Sequence, residues 1–150
     1  MKRFSFSLQK VLQLRKYRED ECKIELGRAI GVLSEIENRI KTTASSRVNA
    51  AAQRFADAGN SAAMAAWEHY IIRLDQEAEN LAKEAAQAEL VVEEKRELYL
   101  EASREVKAIQ KLREKREKEH RKEMFAAETA ELDSISGRQR AAMRGEDFST

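Results

Sequence analysis

No proline occurs in the 150 residues, and the five glycines stand singly at Gly27, Gly31, Gly59, Gly137 and Gly145. Long helices are therefore free of an obligatory stop, and there is no glycine-rich loop of the kind that cradles a phosphate. Aromatic residues make up 6% of the chain, and no apolar run is long enough to span a bilayer. The lone Cys22 excludes an internal disulfide and reads as a small apolar residue in a reducing compartment. His69 and His120 have no second histidine or cysteine at ligand spacing, so no metal is expected. Neither sign of charge is in excess, with 28 basic and 27 acidic side chains, so no bulk field steers the chain to nucleic acid or anionic lipid. Paired carboxylates are abundant, but on solvated faces they lack the desolvation that tunes a catalytic pair. Neither enzyme chemistry nor a cofactor is expected. The start, Met1-Lys2-Arg3, is not read as a signal peptide, because Gln9, Lys10, Gln13, Arg15 and Lys16 break up the apolar core such a segment needs.

What the chain does have is a hydrophobic seam in alternating steps of four and three. In the first half it runs Leu8, Leu12, Arg15, Glu19, Cys22, Leu26, Ala29, Leu33, Ile36, Ile40, Thr43, Arg47 and Ala50. In the second it runs Ile71, Leu74, Ala78, Leu81, Ala85, Ala88, Val92, Lys95, Tyr99, Ala102, Val106 and Ile109. A period of 3.5 residues kept over many turns specifies a coiled coil. The one break, Asp57-Ala58-Gly59-Asn60-Ser61, turns the chain back on itself. The fold expected is all-α, a long antiparallel two-helix coiled coil with unequal arms, forming a single domain over 1–150.

Helix one is placed at about 5–56, the bend at about 57–61, helix two at about 62–136, and a flexible tail at 137–150. Gly59 and Asn60 tolerate the left-handed conformation that ends many helices, and Asn60 or Ser61 can cap the next. Folding back at residue 59 sets Leu26 opposite Val92, and Lys95 opposite Lys23 or its neighbours. Residues beyond about 114 then have no partner within the chain and extend roughly 30 Å if helical to residue 136. This overhang begins with charges of mixed sign, where Glu114 with Lys118 and Glu117 with Arg121 are four apart in the favourable order. Met124, Phe125, Leu132 and Ile135 follow on the same unpaired helix.

Several positions depart from the simple pattern. Arg15, Glu19 and Lys95 are polar seam residues, which set register or mark a place where a partner enters. Gly27 and Gly31 share a face and either admit another backbone or mark a mild bend. Trp67, Tyr70 and Leu74 are spaced three and four near the bend, opposite the small, polar residues 42–46, and form either an exposed interface or an enlarged core.

The opening Phe4-Ser5-Phe6-Ser7-Leu8 and the Val11-Leu12-Gln13-Leu14-Arg15 that follows resemble the amino terminus of FliJ-type flagellar export proteins. The ending is similar too, with Glu131-Leu132-Asp133-Ser134-Ile135 before a basic stretch from Arg138 to Arg144. So is the cluster Trp67-x-x-Tyr70-Ile71-x-x-Leu74. The paired glycines and the small residues 42–46 depart from the family's pattern.

The resemblance implies a non-enzymatic cytoplasmic component of the flagellar type III protein export apparatus, peripheral at the membrane through that apparatus alone. It implies a stalk that binds the hexameric export ATPase and links it to the cytoplasmic domain of the export gate membrane protein and to export chaperones. Carried onto this sequence, the ATPase-binding candidates are Phe4, Phe6, Leu8, Arg113, Arg116, Phe125 and Leu132, and the gate-binding candidates are Trp67, Tyr70 and Leu74. Two other readings fit the coiled coil: the homologous stalk of a virulence type III secretion system, and a purely structural dimeric coiled coil.

Overall fold

A computed structural model describes residues 2–147 of the chain. Two helices, α1 (Gln9–Ala56) and α2 (Ser61–Asp147), account for nearly all of them and pack against each other. The chain divides into two compact units, Lys16–Arg104 and Met1–Arg15 with Glu105–Thr150.

In the unit Lys16–Arg104 the seam is the buried stripe. Ala29, Thr43, Ala50, Leu74, Leu81, Ala88, Val92 and Ala102 are buried, with Cys22, Leu26, Leu33, Ile36 and Ile40 half-buried between them. Arg47 is the exception. Its long side chain leaves the seam to pair with Asp75 on the flank, where the guanidinium stays hydrated. Further flanking pairs join Arg39 to Glu84 at 3.8 Å, Arg54 to Glu68 at 3.7 Å, and Lys95 to Glu25 at 3.2 Å. Early residues of α1 meet late residues of α2, which makes the packing antiparallel. Lys95 meets Glu25, a neighbour of Lys23, and the pairing is displaced by about two residues because the turn is centred slightly later than Gly59.

The bend is tight and uses no left-handed residue: neither Gly59 nor any other described residue has positive φ. Asp57 N–H donates to the Gln53 carbonyl and closes α1, while Asn60 N–H donates to Asp57 at 2.9 Å. Asn60 then caps α2, its side-chain oxygen accepting from Ala63 N–H at 3.2 Å.

In the unit Met1–Arg15 with Glu105–Thr150, Phe6, Leu12, and Val106 are buried, and Leu8, Ile109, Leu112 and Met124 are half-buried. Helix one begins at Gln9, not at about residue 5. The alternation Phe4, Ser5, Phe6, Ser7, Leu8 has a period of two and suits extended chain, so that both phenylalanines face α2. Gln9 N–H donates to the Phe6 carbonyl as the segment turns into the helix. This segment also moves the start of the bare part of α2. Partial burial continues to Met124, not to about 114, because the residues before Gln9 lie along α2.

Helix two runs through Gly137 and reaches Asp147, where an end near 136 and a flexible tail had been expected. A single glycine costs a helix only about 1 kcal/mol and keeps its N–H, and the flanking Arg138, Gln139, Arg140, Ala141, Ala142 and Met143 are strong helix formers. From Phe125 to Glu146 every residue is exposed.

Candidate functional site

The candidate ATPase-binding residues fall in two sets along the second unit described. Phe4, Phe6, Leu8, Arg113 and Arg116 lie where the extended segment packs on α2. Phe6 is 8% exposed, and the Arg116 guanidinium stands 5.9 Å from its ring centre. The same guanidinium donates from Nη1 to Ser7 Oγ at 3.2 Å. The Phe4 ring lies 5.6 Å from His120, tilted by 55°. Arg116 thus stitches the extended segment down through both a ring face and a hydroxyl. Lys2, Arg3, Phe4 and Ser5 line one side of a shallow groove, with Arg116, Glu119, His120 and Glu123 on the other. Arg15 pairs with Glu105 next along the helices.

Phe125 and Leu132 belong to the bare part of α2. They are 72% and 66% exposed. Ile135 at 44% and Met143 at 70% continue the same face, within a turn or two of each other. Met143 was legible only as part of a tail, since its role depends on the helix continuing past Gly137.

The candidate gate-binding residues lie beside the bend. The Trp67 indole N–H donates to Asp57 Oδ2 at 2.9 Å, tying α2 to the first residue of the bend. Trp67 and Tyr70 meet edge to face at 6.1 Å, and Arg73 lies 5.5 Å from the Tyr70 ring. Both aromatic residues are half-buried, whereas Leu74 is 6% exposed and sits in the seam. The surface offered outward is therefore Trp67 and Tyr70, with Leu74 on the same side of α2 in the seam beneath them.

Sequence reasoning passed over Phe55, which is 86% exposed beside Ala51, Arg54, Ala58 and Met64. Its signal was an aromatic residue out of step with the seam. Tyr17 and Ile24, seven apart on the outer face of α1, were passed over in the same way and are 62% and 57% exposed. The Tyr17 phenol is held above its ordinary range, first by its hydrogen bond to Glu21 and then by that carboxylate's charge. Among the described residues, no three His, Cys, Asp or Glu side chains are grouped to hold a metal ion. No described helix is long and apolar enough to cross a membrane.

The model of the family described as flagellar FliJ protein matches residues 4–145, which takes in the extended segment, the bend cluster and the bare stretch of α2. The chain belongs to the FliJ family. It is thus a component of the flagellar type III export apparatus. No curated protein and no solved structure matches it significantly, so the family match carries the assignment. Within this FliJ-family chain, the aromatic start and the Trp67 cluster both hold aromatic rings in directional contacts.

Proposed function

We propose that this chain is a non-enzymatic, cytoplasmic stalk of the flagellar export apparatus, peripheral at the membrane through its partners. It binds the hexameric export ATPase and connects it to the cytoplasmic domain of the export gate and to export chaperones. The ATPase contact is made by the end that carries Phe4, Phe6, Leu8, Arg113 and Arg116, together with Phe125 and Leu132 on the bare helix. The gate contact is made by Trp67 and Tyr70 over Leu74.

The observation that carries this reading is the family match over residues 4–145. The exposure of Phe125 and Leu132 supports it, since large apolar side chains on a solvated helix are a liability unless a partner covers them. Phe6 and Leu8 contribute by fixing the extended segment, while Arg113 and Arg116 present charge beside it. The mechanism is mechanical and allosteric: binding energy at one end biases the arrangement of ATPase subunits, and no covalent step occurs in this chain.

The test is the hydrolysis rate and oligomeric state of the purified export ATPase with increasing amounts of this protein. A variant ending after Met124 keeps Arg116 and His120, and with them the packing of the amino-terminal segment. The full chain should stimulate hydrolysis and promote the hexamer, and the shortened one should lose stimulation while still binding the isolated gate domain. Equal stimulation by both would overturn the assignment of the bare helix to the ATPase.

A further inference from the structure

The bare part of α2 carries a charge pattern that is complementary to itself when reversed. Phe125, Leu132, Ile135 and Met143 form its apolar stripe, all exposed. On one flank of the stripe lie Asp133 and Arg140, seven residues apart. On the other lie Glu131 and Arg138, again seven apart. Both flanks therefore run from acid to base, and their midpoints fall one residue to either side of the point between Ile135 and Ser136. Among the described residues none of these four side chains makes an ion pair. Arg140 and Arg144, four apart, repel each other within the helix, a small cost that a facing carboxylate would offset.

We propose that two copies of this chain pair antiparallel through this segment, about a two-fold axis at Ile135 and Ser136. In a two-fold antiparallel helix pair each flank faces the same flank of the second copy. Asp133 of one copy then lies within about two residues, roughly 3 Å along the axis, of the level of Arg140 of the other, and Glu131 likewise of Arg138. Symmetry makes these four ion pairs. The apolar stripes close between the flanks, Ile135 meets its own copy at the axis, and Phe125 comes within one turn of the second copy's Met143. Gln139 interrupts the stripe and keeps the pair dissociable, as polar seam residues do. The pairing does not rest on the ATPase reading, although it covers the same Phe125 and Leu132, and the two states exclude each other. Self-pairing would shield the apolar stripe while the export ATPase is absent.

The experiment is sedimentation of the full-length protein over a wide concentration range at low and high salt. The expected result is a reversible dimer that weakens with salt and whose dissociation constant rises at least about tenfold in Leu132→Glu. Two charge variants make the test specific. One carries Glu131→Arg and Asp133→Arg, the other Arg138→Glu and Arg140→Glu. Each alone should be monomeric, and an equimolar mixture should restore a heterodimer. Circular dichroism on each variant shows whether helicity is kept. A wild-type chain that stays monomeric throughout, or charge variants that dimerise alone as well as together, would overturn the proposal. A monomer that still stimulates the ATPase would do so while leaving the proposed function standing.

Discussion

Leu12 and Leu81 are each 1% exposed, on seam positions where most neighbours are alanine or only half-buried. Stability in this chain is therefore concentrated in a few large side chains. Leu81→Ala should lower unfolding free energy by about 3 kcal/mol, the cost of lost burial plus the cavity left behind. Leu98→Ala, at a position 42% exposed, should cost under half as much, and urea titration compares the two. Tyr17 gives a pH-dependent counterpart. Its raised value means that the fold favours the neutral phenol. The small stabilisation is present below the ordinary tyrosine range and is lost as pH rises through the folded value. Glu21→Gln should bring the Tyr17 titration back down towards that range, read as a difference in ultraviolet absorbance against a Tyr17→Phe control. The seam positions were legible because burial in a coiled coil follows a fixed period. Arg47 was not, because the same period cannot say that an arginine will bend out of the seam towards Asp75.

At the scale of the element, the two helices end for different reasons. The bend between Ala56 and Ser61 is held by the Asn60 cap and the Trp67 to Asp57 hydrogen bond, with no left-handed glycine. Gly59 had looked like the residue that stops helix one, but its conformation is one any residue adopts. Gly137 had looked like the residue that stops helix two, yet the helix passes through it, and a methyl group placed there would meet nothing within 4 Å. Gly137→Ala should therefore strengthen this stretch by about 1 kcal/mol of helix propensity. Slower amide hydrogen exchange between residues 130 and 145, with exchange in the seam unchanged, is the expected reading. Faster exchange there would show that the glycine serves some other conformation. The amino-terminal segment is the converse case. Its alternation of aromatic and serine residues already had the period of extended chain, and the seam that begins at Leu8 drew the helix too far forward.

At the scale of the whole molecule, the decisive pairing is within one chain. Glu25 and Lys95 are within 3.2 Å of each other, as expected when α1 folds back on α2. With Cys22 replaced by alanine, cysteines at positions 25 and 95 should be joined by a short bismaleimide within a single chain, with a yield independent of protein concentration. A yield that rises with concentration, and products of doubled mass, would mean that the helices pair between chains. The exposed ion pairs along the flanks, each worth about 1 kcal/mol or less, contribute more to register than to stability.

The sequence alone determined the helical class, the antiparallel pairing and almost every seam position, because a repeating side-chain period and one break in it are local properties that survive any change of context. Tertiary structure decided what is local to no segment: that Phe4 and Phe6 leave the helix to pack on His120 and Arg116, that Leu74 goes under the Trp67 cluster, and that Phe125, Leu132, Ile135 and Met143 are left on one uncovered face. Each of these depends on how far one arm reaches along the other, a distance set by the exact turn and by extended chain rising about twice as far per residue as helix.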